Sequence, residues 1–85
     1  MIKWYRFYSD AMHGWVAVKR KELEALNILD KISGYSYQRG KTVYLEEDRD
    51  ATLFLNKLKE LDITYYFKES HKDNSPIRSY EYFKK

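Results

Sequence analysis

From Tyr35 to Ile63 the sequence YSYQRGKTVYLEEDRDATLFLNKLKELDI changes its hydrophobic period once, and that change constrains the fold more than any other feature. The first part reads as two short strands turning at Arg39-Gly40. In the second part the apolar residues Ala51, Phe54, Leu55, Leu58 and Leu61 recur at the three-and-four spacing that lines one side of a helix. Arg49, Asn56, Lys57, Lys59 and Glu60 then face outward. Asp48 is the expected N-cap, with Glu46, Glu47 and Asp50 placing negative charge beside the free N–H groups and the positive end of the helix dipole. Asp62, a residue that tolerates turn conformations, marks the exit.

The remaining segments take their places around this unit. Lys3 to Ser9 (KWYRFYS) alternates as a strand, with Trp4, Arg6 and Tyr8 on one side and Tyr5 and Phe7 on the other. Asp10 to Gly14 reads as a hairpin loop, Trp15 to Val18 as a second strand, and Lys21 to Ile28 as a short helix closed by Asn27. Ser33-Gly34 breaks the chain. Ile63 to Glu69 is a further strand, the polar run to Pro76 a loop, and Ile77 to Phe83 (IRSYEYF) a final strand. An internal echo supports the parse: LEALNI at 23–28 matches LKELDI at 58–63, each at a helix end.

Together these segments predict a single α+β domain over residues 1–85. Its antiparallel sheet has about six strands, and two helices lie on one face. The order ββαββαββ, three aromatic hairpins separated by helices, accounts for every segment. The alternative is a split βαβ core with added strands, in which the strand at Trp15 would have both edges taken and none left for the first strand.

Chemistry is thinly supplied. The chain has no cysteine, which excludes a disulfide framework, a cysteine-ligated zinc site and thiol catalysis. With neither a long apolar run nor an export leader, a cytoplasmic location is expected. Glu46, Glu47, Asp48 and Asp50 form the one carboxylate cluster, but strand alternation sends Glu46 and Glu47 to opposite faces and Asp48 is assigned to the cap. A metal-dependent hydrolase using Glu46, Glu47 and Asp50 is accordingly the lesser reading. His13 and His71 sit in loops without a partner motif, and Ser9, Asp10 and His13 lack a nucleophile elbow. The segment opened by Arg39-Gly40 superficially matches an RNA-recognition strand, but Lys41 and Val43 stand where stacking rings are needed. No enzyme activity, catalytic residue, metal or cofactor is expected.

What invites a function is the sheet face turned away from the helices. With Val43 and Leu45 pointing to the helices, Tyr44 points away, and the same alternation places Tyr66 and Lys68, then Arg78, Tyr80 and Tyr82, on the outer surface. Rings beside cations offer rigid contact area with stacking or charge pairing. The plainer reading is that tyrosine is a good strand former that tolerates half burial. As a partner-binding face it suits a protein, a second copy of the chain, or single-stranded nucleic acid or a nucleotide. The net charge of +3, from 16 Lys and Arg against 13 Asp and Glu, is too small to select nucleic acid by itself.

YSYQRGKTVYLEEDRDATLF, taken with HGWVAVKRKELEALNI, resembles a family of small uncharacterised proteins carried by bacteriophages and bacterial mobile elements. The most distinctive part is YLEED followed by the helix that opens at Ala51. The resemblance covers about residues 4–58. It implies accessory phage biology: a non-catalytic counter-defence protein in the host cytoplasm that binds a host or defence-system protein or complex. No cofactor or mapped site comes with it.

Overall fold

The computed structural model describes all residues from Met1 to Lys85. The chain runs β1 (Ile2–Ser9), β2 (Gly14–Lys19), α1 (Arg20–Ala25), β3 (Tyr37–Arg39), β4 (Thr42–Glu46), α2 (Asp50–Glu60), β5 (Thr64–His71) and β6 (Glu81–Tyr82). Short 3-10 turns occupy Leu29–Lys31 and Pro76–Ser79. No helix is long and apolar enough to cross a membrane.

Alternation decides which side of each strand meets the helices. Tyr5 on β1, Val16 and Val18 on β2, and Val43 and Leu45 on β4 form one buried cluster with Leu23 of α1 and with Ala51, Phe54 and Leu58 of α2. Both helices therefore cover the same face, as expected. Within α2, Leu61 departs from the predicted stripe: it is the C-cap and largely exposed.

The sequence echo has a structural cause. Asn27 and Asp62 adopt left-handed conformations, φ 60° and 58°. The N–H of Ile28 donates to the carbonyl of Leu23, and that of Ile63 to the carbonyl of Leu58. One residue earlier, Asn27 N–H donates to Glu24 and Asp62 N–H to Lys59. These paired bonds define the Schellman ending, in which a left-handed residue stops the helix and apolar side chains before and after it meet. Leu-x-x-x-Asn/Asp-Ile is thus one stop signal used twice.

The strand arrangement corrects two expectations. The sheet is mixed rather than purely antiparallel, with strand order β5-β1-β2-β4-β3-β6 and β5 parallel to β1. A single helix returns the chain to the end of the sheet it left, so β5 must run in the same direction as β4. Both edges of β4 are already filled by β2 and β3, which leaves the free edge of β1. The same logic places β4 between β2 and β3, so split crossovers coexist with the first two hairpins.

The third hairpin does not form: β5 and β6 stand at opposite edges of the sheet. The expected strand Ile77–Phe83 shrinks to Glu81–Tyr82, preceded by the turn Pro76–Ser79. Proline holds φ near the helical value and supplies no N–H to a ladder, while the Ser75 side chain accepts the N–H of Ile77. Ile77 is 2% exposed yet lies outside the helix-side cluster, whereas Phe83 belongs to it. The tail therefore crosses from one side of the sheet to the other within six residues.

The start of α2 also differs from expectation. Asp48 is exposed and caps nothing, and Arg49 precedes the helix with no side-chain cap bond. Asp50, 2% exposed, instead accepts hydrogen bonds from the N–H and hydroxyl of Ser33 and from the hydroxyl of Ser36. It fixes the loop that leads into β3. The β3–β4 turn falls one residue later than expected, at Gly40-Lys41, with Arg39 still paired to Thr42; Gly40 takes φ 59° at the first turn position, a conformation cheap only for glycine.

Candidate functional site

The face opposite the helices is built in rows, because residues paired across a sheet point the same way. One row runs Lys68–Arg6–Ala17–Tyr44–Tyr37–Tyr82 across all six strands. The neighbouring row carries Tyr66 and Trp4 at the β5 side and Lys19, Thr42 and Arg39 beyond. A third, Ser70–Tyr8–Trp15–Glu46, lies toward the turn Pro76–Ser79.

That turn divides the face. Trp15 is 2% exposed, with the Arg78 guanidinium 5.9 Å from its ring centroid and the Tyr37 ring edge-on at 6.2 Å. Ile77 shares a cleft with Tyr8, Tyr44 and Tyr80. A small second core therefore covers the third row. The second row and the β5–β1 end of the first stay accessible: Trp4 is 61% and Tyr66 48% exposed, and their rings lie 5.1 Å apart at 33°. Arg6, Lys19, Arg39 and Lys68 are exposed and form no ion pair, and these two rows carry no carboxylate. Glu22, which borders the hollow beside Trp4, is held by Lys3 and by the hydroxyl of Tyr5.

The residues expected to form the partner face thus separate. Tyr66 and Lys68 stand on the open rows, and Tyr44 is half-buried between Tyr8 and Tyr80, with ring centroids 6.0 and 5.2 Å away. Burial, then the neighbouring Tyr80 and Tyr8, push the Tyr44 phenol pKa up. Tyr80 lies outside any strand, and the Arg39 guanidinium sits 5.0 Å over its ring. Arg78 is no free cation. Its Nε and Nη2 both donate to Asp10, whose side chain is 1% exposed and also accepts the backbone N–H groups of Met12 and His13. The Arg78 hydrogen bond is the main cause that holds the Asp10 carboxyl far below the usual range.

Tyr82, 61% exposed, stacks on Tyr37 at 5.1 Å and 21°. Burial, then Tyr82, raise the Tyr37 pKa. This pair edges a hollow of about 650 Å³ that also contains Arg49, Arg78, Glu46 and Asp48. Both charge signs line it, so it does not select an anion. Trp4, Arg6, Lys19 and Arg39 were not among the expected contact residues. The alternation of KWYRFYS already separated Trp4 and Arg6 from Tyr5 and Phe7; what was missing was β5 beside them.

The carboxylates that the lesser, metal-dependent reading needs do not converge. Asp50 is consumed by Ser33 and Ser36, and no group of three potential ligands is near enough to share an ion. Ser9 Oγ lies 2.9 Å from His71 Nδ1, with Asp73 3.5 Å from Nε2. The His71 and Asp73 side chains are 57% and 92% exposed, so water competes for the orientation a triad needs from a sequestered carboxylate. No protein-family model matches the chain, and no curated protein or solved structure is significantly similar to it.

Proposed function

We propose that this chain is a non-catalytic binding protein whose recognition surface is the open part of the second sheet face. The observation that carries the reading is the exposed Trp4–Tyr66 pair amid four cations that lack carboxylate partners. Exposed rings cost solvation while idle, and unpaired cations repel one another. A partner that covers the rings and supplies negative charge relieves both. In keeping with the resemblance to proteins of phages and mobile elements, the partner belongs to a host or defence component in the host cytoplasm.

Capture from bacterial lysate tests this, comparing wild type with a Trp4→Ala, Tyr66→Ala double variant and with Lys59→Ala on the exposed side of α2. Support is a component retained by wild type and by the Lys59 variant but lost by the double variant. If the double variant stays folded and retains every captured component, the face is not the recognition surface.

A further inference from the structure

Resting on that assignment of the face, we propose that its direct ligand is single-stranded nucleic acid, with bases stacking on Trp4 and Tyr66 and phosphates running past Arg6, Lys68, Lys19 and Arg39. The geometry separates this ligand from the alternatives. A protein partner would have to bring acceptors to all four cations in order to bury them, and the two lysines, unlike the two arginines, are of a type depleted from such interfaces. A nucleic-acid strand supplies one anion per base, interleaved with a flat apolar surface, which matches the alternation of cations and rings here. In a duplex the base faces are already stacked on neighbouring pairs, so rings standing on a flat sheet reach the stacking faces of single-stranded bases alone.

The face also sets a direction and a length. Trp4–Tyr66 lies toward the β5 edge, and Tyr82, exposed as well, is on β6 at the opposite edge. From β1 to β6 the sheet spans four strand spacings, roughly 19 Å at about 4.8 Å each. Lys68, Arg6, Ala17, Tyr44 and Tyr37 lead to Tyr82 in the row beside Trp4–Tyr66, and Tyr80 lies against Tyr44 part-way along it. A strand crossing perpendicular to the β-strands along the row of Tyr66, Trp4, Lys19, Thr42 and Arg39 meets rings at its start and cations beyond, over an equal four spacings from β5 to β3. This is a footprint of about four nucleotides, the low end for sheet-based single-strand sites.

The decisive experiment is fluorescence anisotropy with labelled dT12, U12 and a 12-base-pair duplex. Four phosphate contacts give a salt slope near −2.8, so single-strand affinity should fall about 50-fold between about 50 and 200 mM salt. Trp4→Ala should weaken binding between about 5- and 150-fold, the range for losing one stacked base. Arg6→Ala with Lys68→Ala should lower the slope by about 1.4, and Lys59→Ala should leave both quantities unchanged. Circular dichroism verifies that each variant is folded, and the charge variant stands as an independent test if Trp4→Ala is not. Duplex binding as tight as dT12 overturns the stacking, as does unchanged affinity in Trp4→Ala.

The two readings fail separately. If neither oligonucleotide binds at low salt while a lysate component still depends on Trp4 and Tyr66 after nuclease treatment, the nucleic-acid ligand is wrong and the face stands as a protein-binding surface. If that capture is also absent, both fall. Preference for U12 over dT12, or the reverse, identifies which nucleic acid it is.

Discussion

Replacing Asp50 with asparagine exchanges one carboxylate oxygen for an NH2 group at nearly constant volume and should cost this domain a large part of its stability. Ser36 Oγ already accepts the N–H of Glu46 at 3.0 Å, and Ser33 Oγ that of Tyr35 at 3.2 Å. Both hydroxyl protons are therefore committed to the carboxylate, at 2.5 and 2.7 Å, alongside the Ser33 N–H. All three donors meet on Oδ2, with the Ser33 N–H shared with Oδ1; an amide can keep its oxygen there, but it gives up the charge and sets its NH2 against the Ser33 N–H. Hydrogen bonds to charged groups contribute about 1.5–3 kcal/mol, and a buried donor left unpaired costs about 1–3 kcal/mol. The expected loss is about 2–4 kcal/mol, against a total of about 4–13 kcal/mol for a chain of this length.

Urea unfolding followed by circular dichroism should show the midpoint falling by about 1–3 M with an unchanged slope. Ser36→Ala removes one of the same donors, so the double variant should fall short of additivity by about 1 kcal/mol or more. Loss below about 0.5 kcal/mol would refute the reasoning. A gain in stability would refute it more sharply, since it would mark Asp50 as a group kept for chemistry at the expense of the fold.

Other consequences are independent of that loop. A Cβ on Gly14 would meet Phe7 Cζ at 2.5 Å, so Gly14→Ala should destabilise by about 1–3 kcal/mol in the same unfolding assay. Asp62→Gly relieves a left-handed non-glycine residue and should stabilise by about 0.5–1 kcal/mol, raising Tm by about 3–6 °C. Burial first, then the bond to Glu22 and its charge, raise the Tyr5 pKa well above 10. The unfolded chain then loses this proton before the folded one, so its stabilisation is complete below about pH 10 and declines as pH rises further; Tyr5→Phe should flatten that alkaline limb by up to one proton. Ester hydrolysis of p-nitrophenyl acetate should be no faster for wild type than for Ser9→Ala; a Ser9-dependent rate would contradict the non-catalytic reading.

Much of the fold was readable locally. The α2 stripe, the turn at Gly40, the alternation of β1 and the twin helix stops at Asn27 and Asp62 all depend on neighbours within a few positions, where period and backbone preference act. The one-sided placement of the helices followed from the apolar sides of β2 and β4. Asp48 misled because an acidic residue before a helix is an N-cap only if the backbone turns there; burial of Asp50 under Ser33 and Ser36 depended on a loop 14 to 17 residues away. IRSYEYF misled because it carries strand formers, and Pro76 with a buried site for Ile77 outweighed their propensity.

Sequence by itself determined the elements as far as β5, the helix-facing core and the presence of aromatic and basic side chains on the outward sides of the strands. Tertiary structure alone decided which of them are available. Returning α2 to the sheet placed β5 beside β1, and so set Tyr66 against Trp4 and Lys68 against Arg6 across 62 positions of chain. Folding the turn Pro76–Ser79 over Trp15 removed Arg78 from the free surface by pairing it with Asp10. Local patterning reports which way a side chain points, but what then stands beside it or on top of it is a long-range packing outcome that no short window of residues encodes.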